Sequence, residues 1–368
     1  MNHFADIVKP ALVLDEAVAR MNINRMAGKA RQQQVRFRPH FKTHQSAEIG
    51  DWFRQAGVTA ITVSSIDMAI YFADHGWDDI TIAFPTNLRQ SAALAELAQR
   101  VKLGLLIENQ VAARGLESIL PTAVDAWIEI DAGAGRTGLA WSDANAITGL
   151  ASALHSMEKL RLRGLLTHAG HTYTASSPAE ICDRYGESVA HMLAARDVLT
   201  GCANLPVELS VGDTPGCTLC PDLGAVDEIR PGNFIFYDSQ QLVLGVCRPE
   251  DIAVALACPV VAKHIERSEI VVYGGAIHLS KDDLALGDTR AYGLVALPQE
   301  DRWSAPLEGA YVRGLSQEHG MIRLRPNDFE RVEVGDLIFV LPAHSCLSVT
   351  LMRTYRTLSG RRIATFNE

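Results

Sequence analysis

The side chains in this sequence that are best suited to chemistry fall into five short clusters. The first is Arg36-Phe37-Arg38-Pro39-His40-Phe41-Lys42-Thr43-His44. Alternate side chains of a strand share a face, so Val35, Phe37 and Phe41 fall on one side and Arg36, Arg38, His40 and Lys42 on the other. A lysine among cations in a partly desolvated site has a lowered pKa and can form a Schiff base with a carbonyl. An edge strand with a solvated basic face would carry the same pattern. The second cluster is Glu129-Ile130-Asp131-Ala132-Gly133-Ala134-Gly135-Arg136-Thr137-Gly138. Its glycines allow a tight turn and close ligand approach, and Arg136 can donate to an anionic oxygen. It lacks the G-x-G-x-x-G spacing at a helix start, so no dinucleotide site is read here. A glycine-rich turn with a surface arginine is the plainer alternative.

The third cluster, His168-Ala169-Gly170-His171-Thr172-Tyr173, holds two imidazoles and a phenol that could stack on an aromatic ligand, relay protons or hold water. A single histidine here would read as structural. The fourth is Ser210-Val211-Gly212-Asp213-Thr214-Pro215-Gly216, with Arg230-Pro231-Gly232-Asn233 further on. Backbone amides around Gly and Thr can form a nest for a phosphate. The fifth is Pro342-Ala343-His344-Ser345-Cys346. In extended chain His344 and Cys346 share a face, and an imidazole with a thiolate is a ligand pair suited to Zn²⁺. Two ligands cannot close a structural zinc site, so such a pair would make an open site completed by water or substrate. A buried cysteine beside a hydrogen-bonded histidine is the alternative. Cys217 and Cys220 form one C-x-x-C bracketed by Pro215 and Pro221, with no second pair, and read as structural. His278 and His319 stand alone in sequence; each could be a third ligand, a substrate contact or structural.

These clusters need elements to hold them. Short β-branched runs recur at 35–41, 59–64, 79–84, 102–107, 124–131, 160–168, 206–211 and 233–237, and stretches of helical composition separate most of them. Strand-then-helix alternation implies parallel strands with crossover helices, and eight such strands close a (β/α)8 barrel. An open doubly wound sheet is the alternative. In a barrel, the clusters sit at the C-terminal ends of strands, where active sites collect, and the loops after strands seven and eight are the usual phosphate site. After about Leu242 strand-like runs follow without long helices, at 252–262, 269–273, 292–297, 310–315, 321–324, 336–341 and 347–356. The expected organisation is an α/β barrel over residues 1–242, its first 14 or so residues free to pack with the second part, and an all-β domain over 243–368.

Length and charge set outer limits. The chain has 368 residues, enough for two domains or a large barrel with a module. Lys and Arg total 34 against 43 Asp and Glu, a net charge of −9, which argues against non-specific binding to nucleic acid or an anionic membrane. No apolar run approaches the roughly 20 residues of a membrane-spanning helix. The N-terminal Met1-Asn2-His3-Phe4-Ala5-Asp6 has no basic region before an apolar run, so no secretory signal is read and a cytoplasmic location is expected. Seven cysteines in a long chain suit reduced thiols better than a disulfide framework.

Taken together, the clusters resemble the pyridoxal-phosphate enzymes of alanine racemase fold type (fold type III), in the branch of D-serine dehydratases and D-threonine aldolases. The resemblance runs from Pro10-Ala11-Leu12-Val13-Leu14-Asp15 to the His-x-Cys segment. It implies a barrel followed by a smaller β domain. It also implies that Lys42 carries pyridoxal 5'-phosphate, that Arg136 faces the cofactor, and that His168 and Tyr173 belong to the same site. Gly212, Thr214, Gly232 and Asn233 fall where the family holds the phosphate. His344 and Cys346 match the zinc pair of the dehydratases, with Mn²⁺ or another divalent ion as the alternative metal. The aldolases more often show His-x-Asp. Two segments depart from the family pattern: Tyr273 to Asp282, where an Asp-Ala-Gly start is commoner, and Ser210-Val211-Gly212-Asp213, which varies a usually Gly-Gly-bearing loop.

The activity so implied is β-elimination of water from a D-β-hydroxy amino acid such as D-serine or D-threonine, giving a keto acid and ammonia. Lys42 would take the α-proton, and the metal on His344 and Cys346 would polarise the β-hydroxyl. Aldolase-type Cα–Cβ cleavage and racemisation, the latter needing a second base such as Tyr173, are the alternatives. A homodimer is implied, and no nucleic-acid or membrane partner.

Overall fold

The computed structural model describes residues 4–203 and 207–367. Met1, Asn2 and His3 of the N-terminal segment discussed above, and Pro206 at the start of one expected strand, lie outside the described residues. The chain divides into two compact units. One comprises Arg25–Lys42 and Phe53–Gly232; the other comprises Met1–Asn24, Thr43–Trp52 and Asn233–Glu368.

The first unit is built on parallel strands. Their spatial order is Arg36–Phe37, Glu228–Ile229, Glu208–Gly212, Leu160–His168, Val124–Asp131, Lys102–Ile107, Asp79–Pro85 and Ile61–Val63. A parallel bridge between His40 and Thr62 joins the last strand back to the first segment. There Thr62 N donates to Pro39 O at 3.0 Å and Phe41 N to Thr62 O at 2.8 Å. The expected (β/α)8 barrel is what the chain forms. Crossover helices start where short polar side chains cap them: Ser65 accepts from Met68 N, Asn109 from Ala112 N and Asp143 from Ala146 N.

Along Val124–Asp131 the alternation puts Val124, Ala126, Ile128 and Ile130 on one face and Asp125, Trp127 and Glu129 on the other. Trp127 packs with Leu106 and Leu166 in a small apolar cluster of their own. A partly buried ion network lies toward the strand starts. Arg38 Nε is 2.8 Å from Glu228 Oε2, Arg38 Nη1 is 2.6 Å from Asp79 Oδ1, and Lys102 Nζ is 2.9 Å from Asp79 Oδ2.

Two expectations are corrected in this unit. The eighth strand is Glu228–Ile229, and the run 233–237 begins as a 3-10 turn, Asn233–Ile235. Pro231 lacks a ladder donor and Gly232 follows it, so pairing stops before them, and a short apolar run does not by itself tell strand from buried turn. The thiols are also not all free: Cys182 and Cys220 form a disulfide with Cα atoms 5.3 Å apart. It ties the helix Pro178–Ala203 to the end of the helix Thr214–Leu219, while Cys217 of the C-x-x-C stays a buried free thiol. A cysteine count carries no information about one local pair.

The second unit is organised on a nine-stranded sheet. Its order is Glu269–Tyr273, His319–Arg323, Tyr311–Leu315, Gly293–Ala296, Leu337–Pro342, Val254–His264, Ala11–Leu14, Thr354–Thr357 and Arg362–Ala364. Pairing is antiparallel except between Ala11–Leu14 and Thr354–Thr357. Phe339 anchors part of its core, with ring centroids 5.0 Å from Phe4 and 5.6 Å from Trp303. The expected strand at 347–356 is instead a helix, Ser345–Met352, followed by the strand Thr354–Thr357. Arg353 reverses the chain between them in the left-handed region. Among the described residues no helix is long and apolar enough to cross a membrane.

Candidate active site

The barrel unit gathers its candidate residues just beyond the ends of its strands. Lys42 follows the segment that closes the barrel, Arg136 follows Val124–Asp131, His168 ends Leu160–His168, and Gly212 ends Glu208–Gly212. The turn after Val124–Asp131 is held from within. Asp131 Oδ1 accepts from Gly133 N and Gly135 N, each at 3.0 Å. Gly138 has φ +100°, and a Cβ there would sit 2.7 Å from Asp131 N, so a glycine is required. Thr137 Oγ1 donates to Glu129 Oε1 at 2.7 Å, and Gly138 N donates to Glu108 Oε2 at 2.8 Å. Arg136 therefore projects from a fixed loop.

His168 Nδ1 lies 2.6 Å from the Gly212 carbonyl. A carbonyl only accepts, so Nδ1 carries the proton. Burial, then the charges of Lys42 and Arg136, push the His168 pKa down to about 3. Burial and the charges of Lys42 and Arg230 likewise hold His40 well below the ordinary imidazole value. Both rings are neutral at pH 7, and the positive charge of the site rests on Lys42, Arg136 and Arg230. Such a basin suits an anionic ligand.

The loop after Glu208–Gly212 is braced from both sides. A Cβ on Gly212 would lie 2.9 Å from the Arg230 carbonyl carbon, so the strand ends closely against the next segment. Asp213 caps the helix Thr214–Leu219, accepting from Gly216 N at 2.9 Å, and burial pushes its pKa up to about 7. Thr214 N donates to Tyr173 Oη at 3.2 Å. At the other end of this helix Lys29 Nζ donates to the carbonyls of Cys217, Thr218 and Cys220 at 2.8, 3.0 and 2.6 Å. Arg230 is buried, with Nε donating to Ser210 Oγ at 2.7 Å and Nη2 to the Thr167 carbonyl. Neither Lys29 nor the bracing role of Arg230 is legible in the sequence. Their partners lie far away in sequence, so no local pattern marks either.

The second unit assembles a different cluster. His344 is the extended residue preceding the helix Ser345–Met352, and Cys346 is in its first turn. The pair is thus brought together by a helix start, not by strand alternation as expected. His344 Nδ1 lies 3.1 Å from Asp238 Oδ2. The same oxygen accepts from Ser345 N at 3.0 Å and from Asn233 Nδ2 at 2.8 Å. Asn233 Nδ2 also donates to Ser345 Oγ at 2.8 Å and lies 4.0 Å from Cys346 Sγ. Thr43 Oγ1 is 3.2 Å from that sulfur. Burial works against the charged form of His344, but Cys346 and Asp238 outweigh it and hold its pKa well above the ordinary value.

Asn233, expected near a phosphate, has its side chain committed to this second cluster. The chain passes between the units at Lys42-Thr43 and again at Gly232-Asn233, so members of the two clusters are sequence neighbours. Asp238 was missed by sequence reasoning; its partner His344 is 106 residues away. Among the described residues no group of three or more His, Cys, Asp and Glu side chains is placed to hold a metal ion, so neither His278 nor His319 joins the pair. His278 Nδ1 instead accepts from Gly275 N at 3.1 Å. A nitrogen and a sulfur donor fit a divalent cation that takes its remaining ligands from water or substrate, and do not fit a closed structural site. In the barrel unit, a lysine within a positive basin fits a phosphorylated aldehyde.

An eight-stranded parallel barrel with a lysine and a cationic basin at its strand ends, joined to an antiparallel unit bearing a His–Cys pair, defines an alanine racemase-like enzyme. Residues 14–240 match the family described as "Alanine racemase, N-terminal domain", and residues 253–358 match "Putative serine dehydratase domain". The chain belongs to the first family and carries the second domain behind it. It is 29% identical over 361 residues to a D-threo-3-hydroxyaspartate dehydratase from Delftia sp. (strain HT23), covering 95% of this chain and 94% of that one. It is 28% identical over 383 residues to a D-serine dehydratase from Schizosaccharomyces pombe, covering 97% and 89%. The solved structure of the Delftia dehydratase superposes with a TM-score of 0.90 over 99% of both chains, at 28% identity. A cysteine-to-alanine variant of that dehydratase has been solved in a form described as metal-free. A D-threonine aldolase from Filomicrobium marinum, at 22% identity and a TM-score of 0.82, shares the fold.

Proposed function

We propose that this protein is a pyridoxal-phosphate- and zinc-dependent lyase that eliminates water from a D-amino acid bearing a β-hydroxyl, giving a keto acid and ammonia. The reading rests on one observation above the others: a single chain carries both a Schiff-base-capable lysine in a cationic basin and an imidazole–thiol pair whose histidine is held by a buried carboxylate. The similarity to two dehydratases over nearly the whole chain supports it.

Pyridoxal phosphate, when bound, supplies an electron sink for charge developing at the substrate Cα. Lys42 Nζ would hold the cofactor and would accept the α-proton. Arg136 would donate to the cofactor, and His168, neutral, would belong to the same site without adding charge. Thr214, the backbone at Gly212 and Gly232, and the Tyr173 hydroxyl would hold the phosphate. On this reading Asn233 serves the metal pair through its side chain. His344 Nε2 and Cys346 Sγ would hold a divalent cation, whose chemistry would be that of a Lewis acid toward the β-hydroxyl. We further take the working form to be a cytoplasmic homodimer.

The test is one assay of the purified enzyme with pyridoxal phosphate and Zn²⁺ on D-serine, D-threonine and D-3-hydroxyaspartate, with and without chelator. Keto acid and ammonia that disappear with chelator are expected. Glycine plus an aldehyde would overturn the elimination in favour of Cα–Cβ cleavage. Undiminished turnover in metal-free enzyme would remove the role given to His344 and Cys346.

A further inference from the structure

We propose that Asp238 is the positioning residue of the His344–Cys346 pair, fixing the imidazole with its Nδ1–H on the carboxylate so that Nε2 is presented to the cation. The inference rests on the reading above that this pair holds a metal. Its basis is the way Asp238 divides its two oxygens. The side chain is fully buried, at 0% exposure. Oδ1 accepts from Gln241 N at 3.0 Å and caps the short helix Ser239–Val243. That bond is all the helix asks of it.

Oδ2 is spent elsewhere, on His344 Nδ1 at 3.1 Å, Ser345 N at 3.0 Å and Asn233 Nδ2 at 2.8 Å. Two of these donors belong to the segment that carries the ligand pair. The third, Asn233, also reaches toward the Cys346 sulfur. One carboxylate oxygen therefore sets the ring plane of His344, the backbone between the two ligands and the amide beside the thiol.

A carboxylate accepts only, so it selects the imidazole tautomer with hydrogen on Nδ1 and leaves the Nε2 lone pair for a cation. It also raises the basicity of that nitrogen, the usual effect of an outer carboxylate on a histidine ligand. Asparagine at this position keeps the shape. It turns one oxygen into an NH₂, which then faces either the Gln241 amide or the three donors at Oδ2.

The test is zinc affinity of the pyridoxal-phosphate-loaded, metal-stripped enzyme, measured by competition with a chromophoric chelator. Asp238→Asn is expected to weaken Zn²⁺ binding about 10- to 100-fold, with cofactor absorbance and far-ultraviolet circular dichroism unchanged. Equal zinc affinity in Asp238→Asn and wild type, with binding lost in His344→Ala, would overturn the role of Asp238 alone. Equal affinity in wild type and His344→Ala would instead overturn the metal reading and this proposal with it. Should Asp238→Asn fail to fold, ¹⁵N-histidine NMR of the zinc-loaded wild-type enzyme decides, with the His344 signals identified by their loss in His344→Ala. Protonated Nδ1 and metal-bound Nε2 are expected; metal on Nδ1 would overturn the proposal.

Discussion

The Tyr173 hydroxyl accepts the backbone N–H of Thr214, 41 residues along the chain, at 3.2 Å. One bond thus links the loop after Leu160–His168 to the start of the helix Thr214–Leu219. The same hydroxyl is the Tyr173 group assigned to the cofactor phosphate. Tyr173→Phe removes the acceptor and keeps the ring. A net hydrogen bond contributes about 1 kcal/mol, so pyridoxal phosphate should bind the variant about five-fold more weakly, read by titration of the apoenzyme. Unchanged affinity would remove Tyr173 from the phosphate site.

Lys42→Ala should abolish covalent attachment of the cofactor. Borohydride treatment followed by mass spectrometry should show the cofactor mass on the wild-type chain and none on the variant. Turnover should fall by at least the 10²- to 10⁴-fold typical of losing a general base. A variant still labelled by borohydride would place the attachment on another lysine.

His344→Ala should keep the cofactor absorbance and lose elimination, because its ring belongs to the unit that does not contain Lys42. Loss of the absorbance as well would mean that the ring supports cofactor binding directly.

The ion network at the barrel strands should matter for stability. Glu228 is buried between Arg38 and Ser210, whose Oγ donates to it at 2.7 Å. Glu228→Gln leaves Arg38 buried with one carboxylate partner fewer, at a cost of about 3–5 kcal/mol. Urea unfolding monitored by tryptophan fluorescence would measure it. A shift under 1 kcal/mol would show that Asp79 alone suffices for Arg38.

Acid should weaken the fold through His168. Its folded pKa of about 3 lies below the ordinary 6.5, so between those values the unfolded chain binds more protons at this site. Stability from this group is complete above pH 6.5 and declines as pH falls toward 3, by about 1.4 kcal/mol per unit. His168→Gln should flatten the wild-type slope of unfolding free energy, from urea titrations, against pH by that amount. An identical slope would mean that His168 is protonated in the folded protein.

Several features of the fold and site were readable in sequence because they depend on neighbours. The alternation of β-branched runs with helical stretches announced parallel strands with crossover helices, since period-2 and period-3.6 patterns report which face meets the core, and the His40–Thr62 bridge decided closure. Asp131, Gly133 and Gly135 close one turn through bonds two and four residues long, so their spacing carried the geometry. Strand Glu228–Ile229 was harder to place, because its two residues are too short to show a period. The helix after His344 was misread as strand for a related reason: Cys-Leu-Ser-Val-Thr-Leu-Met is apolar enough for either, and only burial against neighbouring segments decides.

By itself the sequence determined a layer of parallel strands with crossover helices, a second β unit, and which side chains are chemically capable: Lys42, Arg136, His168, His344 and Cys346 among them. What only the tertiary structure decided is how those side chains are held. Asp238 meets His344 across 106 residues, Lys29 meets Cys217 across 188, and Arg230 reaches Thr167 across 63. A hydrogen bond constrains two atoms in space and leaves no periodicity in the chain. The Cys182–Cys220 bridge is of the same kind, set by two helices whose approach no local pattern encodes.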